Sequence, residues 1–241
     1  MARFVLVHGA FGGAWCWERV VPLLESAGHS VQTLDLPGGG DDHTPIEEIT
    51  LNECAGRVCD ALLDGDEEAI LVGHSMGGVM ITQAAAQVPG QVDSLIYVCA
   101  FMPANGQSLL DLTHYPEGAD DQIQANIRIE GDPPIAHLPD DAAVRAIYNC
   151  CSPEDVEFAL ARRRPQPVVP FATPVSIDDE ALDAIPRSYI HTLQDNSVPP
   201  ALQRRMIEEH PCWRVVQLDT DHAPYLSKTV ELAAALNELA A

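Results

Sequence analysis

Apolar residues along the chain follow two rhythms. The continuous runs Phe4 to Val7, Val31 to Leu34, Ala69 to Val72 and Val92 to Val98 have the length of buried strands. The segments between them, 15–28, roughly 48–63 and 76–88, space their apolar residues as helices do. Strands without polar alternation need cover on both faces, which a parallel sheet flanked by helices provides. The pattern therefore predicts an α/β fold with a doubly wound, mostly parallel sheet. Turn clusters at Pro37-Gly38-Gly39-Gly40 and Asp64-Gly65-Asp66 punctuate it, and Pro89-Gly90 closes the helix after Val88.

From about Pro103 to Pro186 the rhythm is lost. Prolines recur there, and only short helical patterns such as Asp141 to Tyr148 and Pro153 to Arg163 remain. It returns with a strand at Ser188 to Leu193, a helix at 199–209 opened by Pro199-Pro200, a strand at Trp213 to Leu218 and a helix from about 225 to the end. The expected organisation is one folding unit: a core of 1–102 and 187–241, with 103–186 inserted as a mostly helical cap.

Composition changes this picture little, but charge does. The 241 residues carry 36 acidic and 13 basic side chains, a net charge of −23, and Lys228 is the one lysine. Such a surface repels polyanions, so nucleic acid and anionic membranes are poor partners, although Arg162-Arg163-Arg164 forms a local basic patch. No apolar run reaches the roughly eighteen residues of a membrane span, and the apolar start is too short for a signal peptide. The seven cysteines form neither an even framework nor a C-x-x-C pair, which suits reduced thiols in a cytoplasm.

The chemistry begins at Gly73-His74-Ser75-Met76-Gly77-Gly78, which follows the apolar strand 69–72 and opens a helix. A serine held in a tight strand-to-helix turn exposes its Oγ only if residues two before and two after carry no colliding side chain. G-x-S-x-G alone arises by chance in roughly one chain of this length in twelve, so its position between strand and helix carries the argument. The alternative is a glycine-rich turn with an idle serine. Nine histidines compete to be the base for Ser75. His222 follows the last strand, on the edge where such sheets bind ligands, whereas His191 lies within a strand and His210 ends a helix. Asp195 is the carboxylate after the preceding strand. Asp221 competes with it, but neighbours in an extended segment point apart, and Asp195 could instead cap the helix at 199. For an oxyanion hole the candidates are the backbone N–H groups of Met76 and of Ala10, in the loop His8-Gly9-Ala10-Phe11-Gly12-Gly13, if that loop is more than a tight turn. Phe11 and Phe101 are either pocket walls or core packing.

These segments, with Phe4 to Ala10, Leu23-Leu24-Glu25-Ser26-Ala27-Gly28-His29, Ala100-Phe101-Met102-Pro103, Cys151-Ser152-Pro153-Glu154-Asp155 and Asp221-His222, resemble the α/β-hydrolase superfamily. Within it they are most similar to plant-type methylesterases and hydroxynitrile lyases, with bacterial esterases like them, and the resemblance runs almost end to end. It implies hydrolysis of a small, mostly apolar ester, with methyl and aromatic esters as candidates, by a Ser75-His222-Asp195 triad without cofactor or metal. A homodimer is compatible with it. Lyases of the branch resemble one another in a threonine after the first-loop histidine and often a lysine after the catalytic one; here these positions are Gly9 and Ala223. A lyase, a thioesterase and a slow-turnover receptor of the same fold remain as alternatives.

Overall fold

The structure, a computed structural model, describes residues 1–240. The chain runs through β1 (Arg3–Val7), α1 (Val21–Ser26), β2 (Ser30–Leu34), α2 (Leu51–Leu63), β3 (Ala69–His74), α3 (Gly77–Gln87) and β4 (Val92–Val98). Then come α4 (Leu109–Thr113), α5 (Gln122–Asn126), β5 (Arg128–Glu130), β6 (Ile135–His137), α6 (Asp140–Ala146), α7 (Pro153–Leu160), β7 (Gln166–Pro167), α8 (Val169–Ala172) and α9 (Asp179–Asp183). The chain ends with β8 (Arg187–Thr192), α10 (Pro200–Glu209), β9 (Arg214–Leu218), α11 (Pro224–Ser227) and α12 (Thr229–Leu239).

Six strands form one sheet in the order β2-β1-β3-β4-β8-β9, and every neighbouring pair is parallel. Side chains alternate between its faces, as a period of two requires. Val5, Val7, Leu71 and Leu95 pack with α2 and α3 residues such as Val58 and Met80. Phe4, Leu6, Ile70, Val72 and Ile96 pack on the other face with Trp17, Leu24, Leu232 and Leu236. The sheet is thus doubly wound; β1 and β3, covered on both faces, are almost wholly apolar, whereas the edge strands β2 and β9 carry polar residues and are only partly buried.

After β1 the chain goes outward to β2 and then returns to place β3 on the other side of β1. The loops leaving β1 and β3 therefore diverge at adjacent carboxyl ends, where Val7 pairs with Gly73. Open α/β sheets bind ligands at such a switch point.

Two expected helices are broken. Segment 15–28 is a 3₁₀ turn at Ala14–Trp17 followed by α1, because Pro22 supplies no N–H and its ring excludes a helical carbonyl four residues earlier. The last helix divides into α11 and α12 at Lys228, whose φ of −142° and ψ of 45° leave the helical region. The helix expected from about 48 begins instead at Leu51, where the Thr50 side chain accepts from the Glu53 N–H. Between β4 and β8 the helices are joined by a small antiparallel sheet, β5-β6-β7, that the sequence pattern does not announce. Strands of two or three residues are too short for alternation to register. Among the described residues no helix is long and apolar enough to cross a membrane.

Candidate active site

Ser75 sits between β3 and α3 with φ of +54°, in the left-handed region that non-glycine residues rarely occupy. The turn closes only because its neighbours lack side chains. A Cβ on Gly73 would lie 2.7 Å from the Gly77 carbonyl carbon, and one on Gly77 2.7 Å from the His8 carbonyl oxygen. The glycines thus let α3 pack against the β1 loop, while the turn turns Ser75 Oγ toward the loop after β9.

There Ser75 Oγ lies 2.8 Å from His222 Nε2, and His222 Nδ1 lies 2.7 Å from Asp195 Oδ2. All three residues are buried. The carboxylate fixes the tautomer: Nδ1–H donates to Asp195, leaving Nε2 to accept from the serine hydroxyl. Asp195 is itself held from every side. Its Oδ1 accepts from the N–H groups of Ser197 (2.7 Å) and Val198 (2.8 Å), and its Oδ2 from Thr192 Oγ1 (3.0 Å) and Gln203 Nε2 (3.1 Å).

Gln203, fully buried on α10, has no sequence motif to mark it. Besides Asp195, its amide donates to the Val198 carbonyl and its Oε1 accepts from the Thr192 N–H. Other histidines hold backbone. His74 Nε2 lies 2.7 Å from the His222 carbonyl, and burial pushes the His74 imidazole well below its usual range, with His222 adding to the shift. His8 Nε2 accepts from the Leu36 N–H while Nδ1 donates to the Gly9 carbonyl; burial holds this ring neutral too.

Asp221 turns away from the triad. Its carboxylate accepts from the Cys150 N–H (2.7 Å), Ser227 Oγ (2.6 Å) and the Ala223 N–H (3.1 Å). Asn149 Nδ2 donates to the Gln194 carbonyl, Asn196 Nδ2 to Arg145 and Ser197 Oγ to Ala146. Residues 145–150 are thereby stapled to the loops carrying Asp195 and His222.

Ala10 and Met76 line the same pocket as Ser75, and among the described residues neither N–H has a protein acceptor. The next N–H in the loop is occupied: Phe11 donates to Gln166 Oε1 (3.3 Å), and the Phe11 carbonyl accepts from the Arg164 N–H (3.2 Å). Phe11 has φ of +61°, which is costly for a bulky residue, so these contacts from the segment before β8 hold a strained position. Phe11 and Phe101 form pocket wall together with Leu109, Ile123, Ile127 and Phe171.

Over residues 4–235 the sequence matches the family described as alpha/beta hydrolases. The chain belongs to that family. Within the alpha/beta hydrolases it falls in the methylesterase branch, being 34% identical to Methylesterase 7 of Arabidopsis thaliana over 99% of this chain and 96% of that protein. It is 36% identical, again over 99% of its length, to a chloroplastic protein of the same plant provisionally named methylesterase 11. It spans 64% of that relative's length, and 56% of the similarly named methylesterase 13. The crystal structure of polyneuridine aldehyde esterase aligns over 100% of both chains with a TM-score of 0.91 at 28% identity.

In this alpha/beta hydrolase, His74, Cys99 and His222 bring potential ligand atoms within 4.8 Å of one another. The donor set does not fit a metal. Both His222 nitrogens are engaged with Ser75 and Asp195, and burial keeps the Cys99 thiol well above its usual range, hence protonated.

Proposed function

We propose that this protein is a serine esterase for small, mostly apolar carboxylic esters, methyl esters among them. The observation that carries the reading is the continuous hydrogen-bonded chain Ser75–His222–Asp195, at the floor of an apolar pocket beside two unengaged N–H groups. Ser75 attacks the ester carbonyl as His222 takes its proton. Asp195 stabilises the imidazolium, which then protonates the departing alcohol, and a water activated in the same way releases the acid. Ala10 and Met76 N–H groups serve as the oxyanion hole, each donor contributing about 2.7–4 kcal/mol in the transition state. The segment 103–186 acts as the cap that supplies Phe171 and the α5 side of the pocket. Seven free cysteines support a reducing compartment such as the cytoplasm.

Two observations favour hydrolysis over cyanohydrin cleavage. The one lysine, Lys228, pairs with Glu231 on the surface, so no ammonium stands beside His222 to receive cyanide. A side chain at position 9, where the lyases carry threonine, would put its Cβ 2.7 Å from Ser75 Cβ.

Steady-state turnover of p-nitrophenyl acetate and of a panel of methyl esters, by wild type and Ser75→Ala, tests the reading. Multiple turnovers abolished by the substitution are expected. Full activity in Ser75→Ala overturns the mechanism, and a single burst with retained product favours a receptor. Matched oxygen and thio esters separate esterase from thioesterase.

A further inference from the structure

The pocket holds one carboxylate for which the hydrolytic steps have no use. Asp121 precedes α5 and lines the pocket together with Ser75, Phe101 and Phe171, yet it is only 5% exposed. Its place relative to the triad is fixed, because the next residue, Gln122, donates its N–H to the carbonyl of Asn196, the neighbour of Asp195.

One half of this carboxylate has a structural task. Oδ1 accepts from the N–H groups of Ile123 (2.7 Å) and Gln124 (3.1 Å), capping α5. Oδ2 has no partner among the described residues, and it is absent from the buried polar atoms that are sealed off unpaired. The other buried polar side chains lining the pocket are spent, and Gln124, which also lines it, is exposed. Thr113 Oγ1 donates to the Leu110 carbonyl, Ser197 Oγ to the Ala146 carbonyl, and Ser75 is engaged with His222.

Capping does not explain the choice of residue. Asparagine or serine caps a helix as well as aspartate and brings no charge. Here burial outweighs both capping bonds and pushes the carboxyl up to about 6, Asp195 adding to the rise and His222 opposing it. A costly acceptor aimed into an apolar cavity is the arrangement by which a site selects a ligand carrying a donor, since an analogue lacking it leaves the acceptor desolvated and unpaired.

We propose that Asp121 is a specificity-determining residue whose Oδ2 accepts a hydrogen bond from the substrate, so that the preferred esters are small and apolar but carry one donor, a hydroxyl or an ammonium, away from the scissile carbonyl. This rests on the serine-esterase reading for the chemistry, but the recognition itself is a property of binding. No bond is made or broken at Asp121.

The test uses methyl esters of straight-chain acids of three to six carbons ending in methyl, hydroxyl or ammonium. Their binding to Ser75→Ala, with and without Asp121→Asn, is measured by calorimetry, and kcat/KM is measured for wild type and Asp121→Asn. At the best chain length a donor-bearing ester is expected to bind, and to be turned over, roughly tenfold or more better than its alkyl counterpart. Asp121→Asn keeps the cap on its carbonyl oxygen and turns an N–H toward the pocket. It is expected to erase the preference for the ammonium ester, which can only donate, and to shrink that for the hydroxyl ester, whose oxygen can accept from the new N–H. The hydroxyl and ammonium arms decide which donor is favoured. Equal binding of donor and alkyl esters to Ser75→Ala, or an unchanged preference in Asp121→Asn, overturns the proposal. Hydrolysis that persists in Ser75→Ala, or is absent from wild type, overturns the esterase reading instead and leaves the binding comparison to judge Asp121. Asp121→Ser, which caps without reaching into the pocket, is the second variant should Asp121→Asn fail to fold.

Discussion

The loops of the parallel sheet and the segment between β4 and β8 each bury an aspartate beside the same serine, and they treat it in opposite ways. Asp195 receives donors on both oxygens from His222, Thr192, Gln203 and two backbone N–H groups. Asp121 receives two N–H groups on one oxygen and nothing on the other. A carboxylate that must hold an imidazole through a reaction cycle gains from being over-determined. One that must respond to what enters the pocket gains from being left incomplete. The contrast separates the part of the site that performs chemistry from the part that selects what reaches it.

The largest effect should come from removing charge on the over-determined side. Asp195→Asn is expected to lower kcat by roughly 10³–10⁴-fold with KM nearly unchanged, because the amide favours the wrong imidazole tautomer; a loss below tenfold would mean that another group orients His222. Next is Gln203→Leu, which strands the Val198 carbonyl and the Thr192 N–H. Denaturant unfolding should register about 2–4 kcal/mol of lost stability, with kcat falling more than KM rises.

On the incomplete side the sign reverses. The Asp121 carboxyl stands at about 6 in the folded protein against an ordinary 3.8, so the folded state holds more protons between these values. Its contribution to stability therefore declines as pH rises from about 4 to about 6 and stays low above that. Asp195 and His222 are the titratable groups acting on it. Asp121→Asn lacks this penalty. Its stability relative to wild type should improve by up to about 3 kcal/mol between pH 4 and pH 8, and equal unfolding free-energy differences at the two pH values would contradict the buried charge.

The smallest effect probes the link between the two regions. Gln166→Ala removes the acceptor that holds the Phe11 N–H, loosening the loop that carries Ala10. A fall of about tenfold in kcat/KM is expected, with weaker inhibition by a boronic acid mimic of the tetrahedral intermediate and little change in the affinity of Ser75→Ala for intact ester.

Much of the core was legible because its demands are local. An apolar run between two covered faces and glycines around a tight turn are written in adjacent residues, and the order of serine, acid and histidine is what the resemblance to hydrolases implied. Helix ends were less legible, since Pro22 breaks one segment and a non-helical Lys228 another while the apolar spacing continues past both. Asp121 was illegible as part of the pocket, and Gln166 and Gln203 as supports of the residues around it. Gln166 meets Phe11 across 155 residues, and Gln203 reaches Asp195 from another element, so no spacing in the sequence encodes either contact. The direction of Asp221 was readable from strand geometry, but its bond to the Cys150 N–H was not.

That bond, with those from Asn149, Asn196 and Ser197, marks a seam for anyone rebuilding this protein. Residues 145–150 belong mechanically to the loops of Asp195 and His222, although they lie in the segment between β4 and β8. A chimera that imports a relative's pocket should therefore exchange 103–144 and leave 145–150 in place. The foreign walls would then be mounted on the native fastening, and the reactive groups would not have to be aligned again.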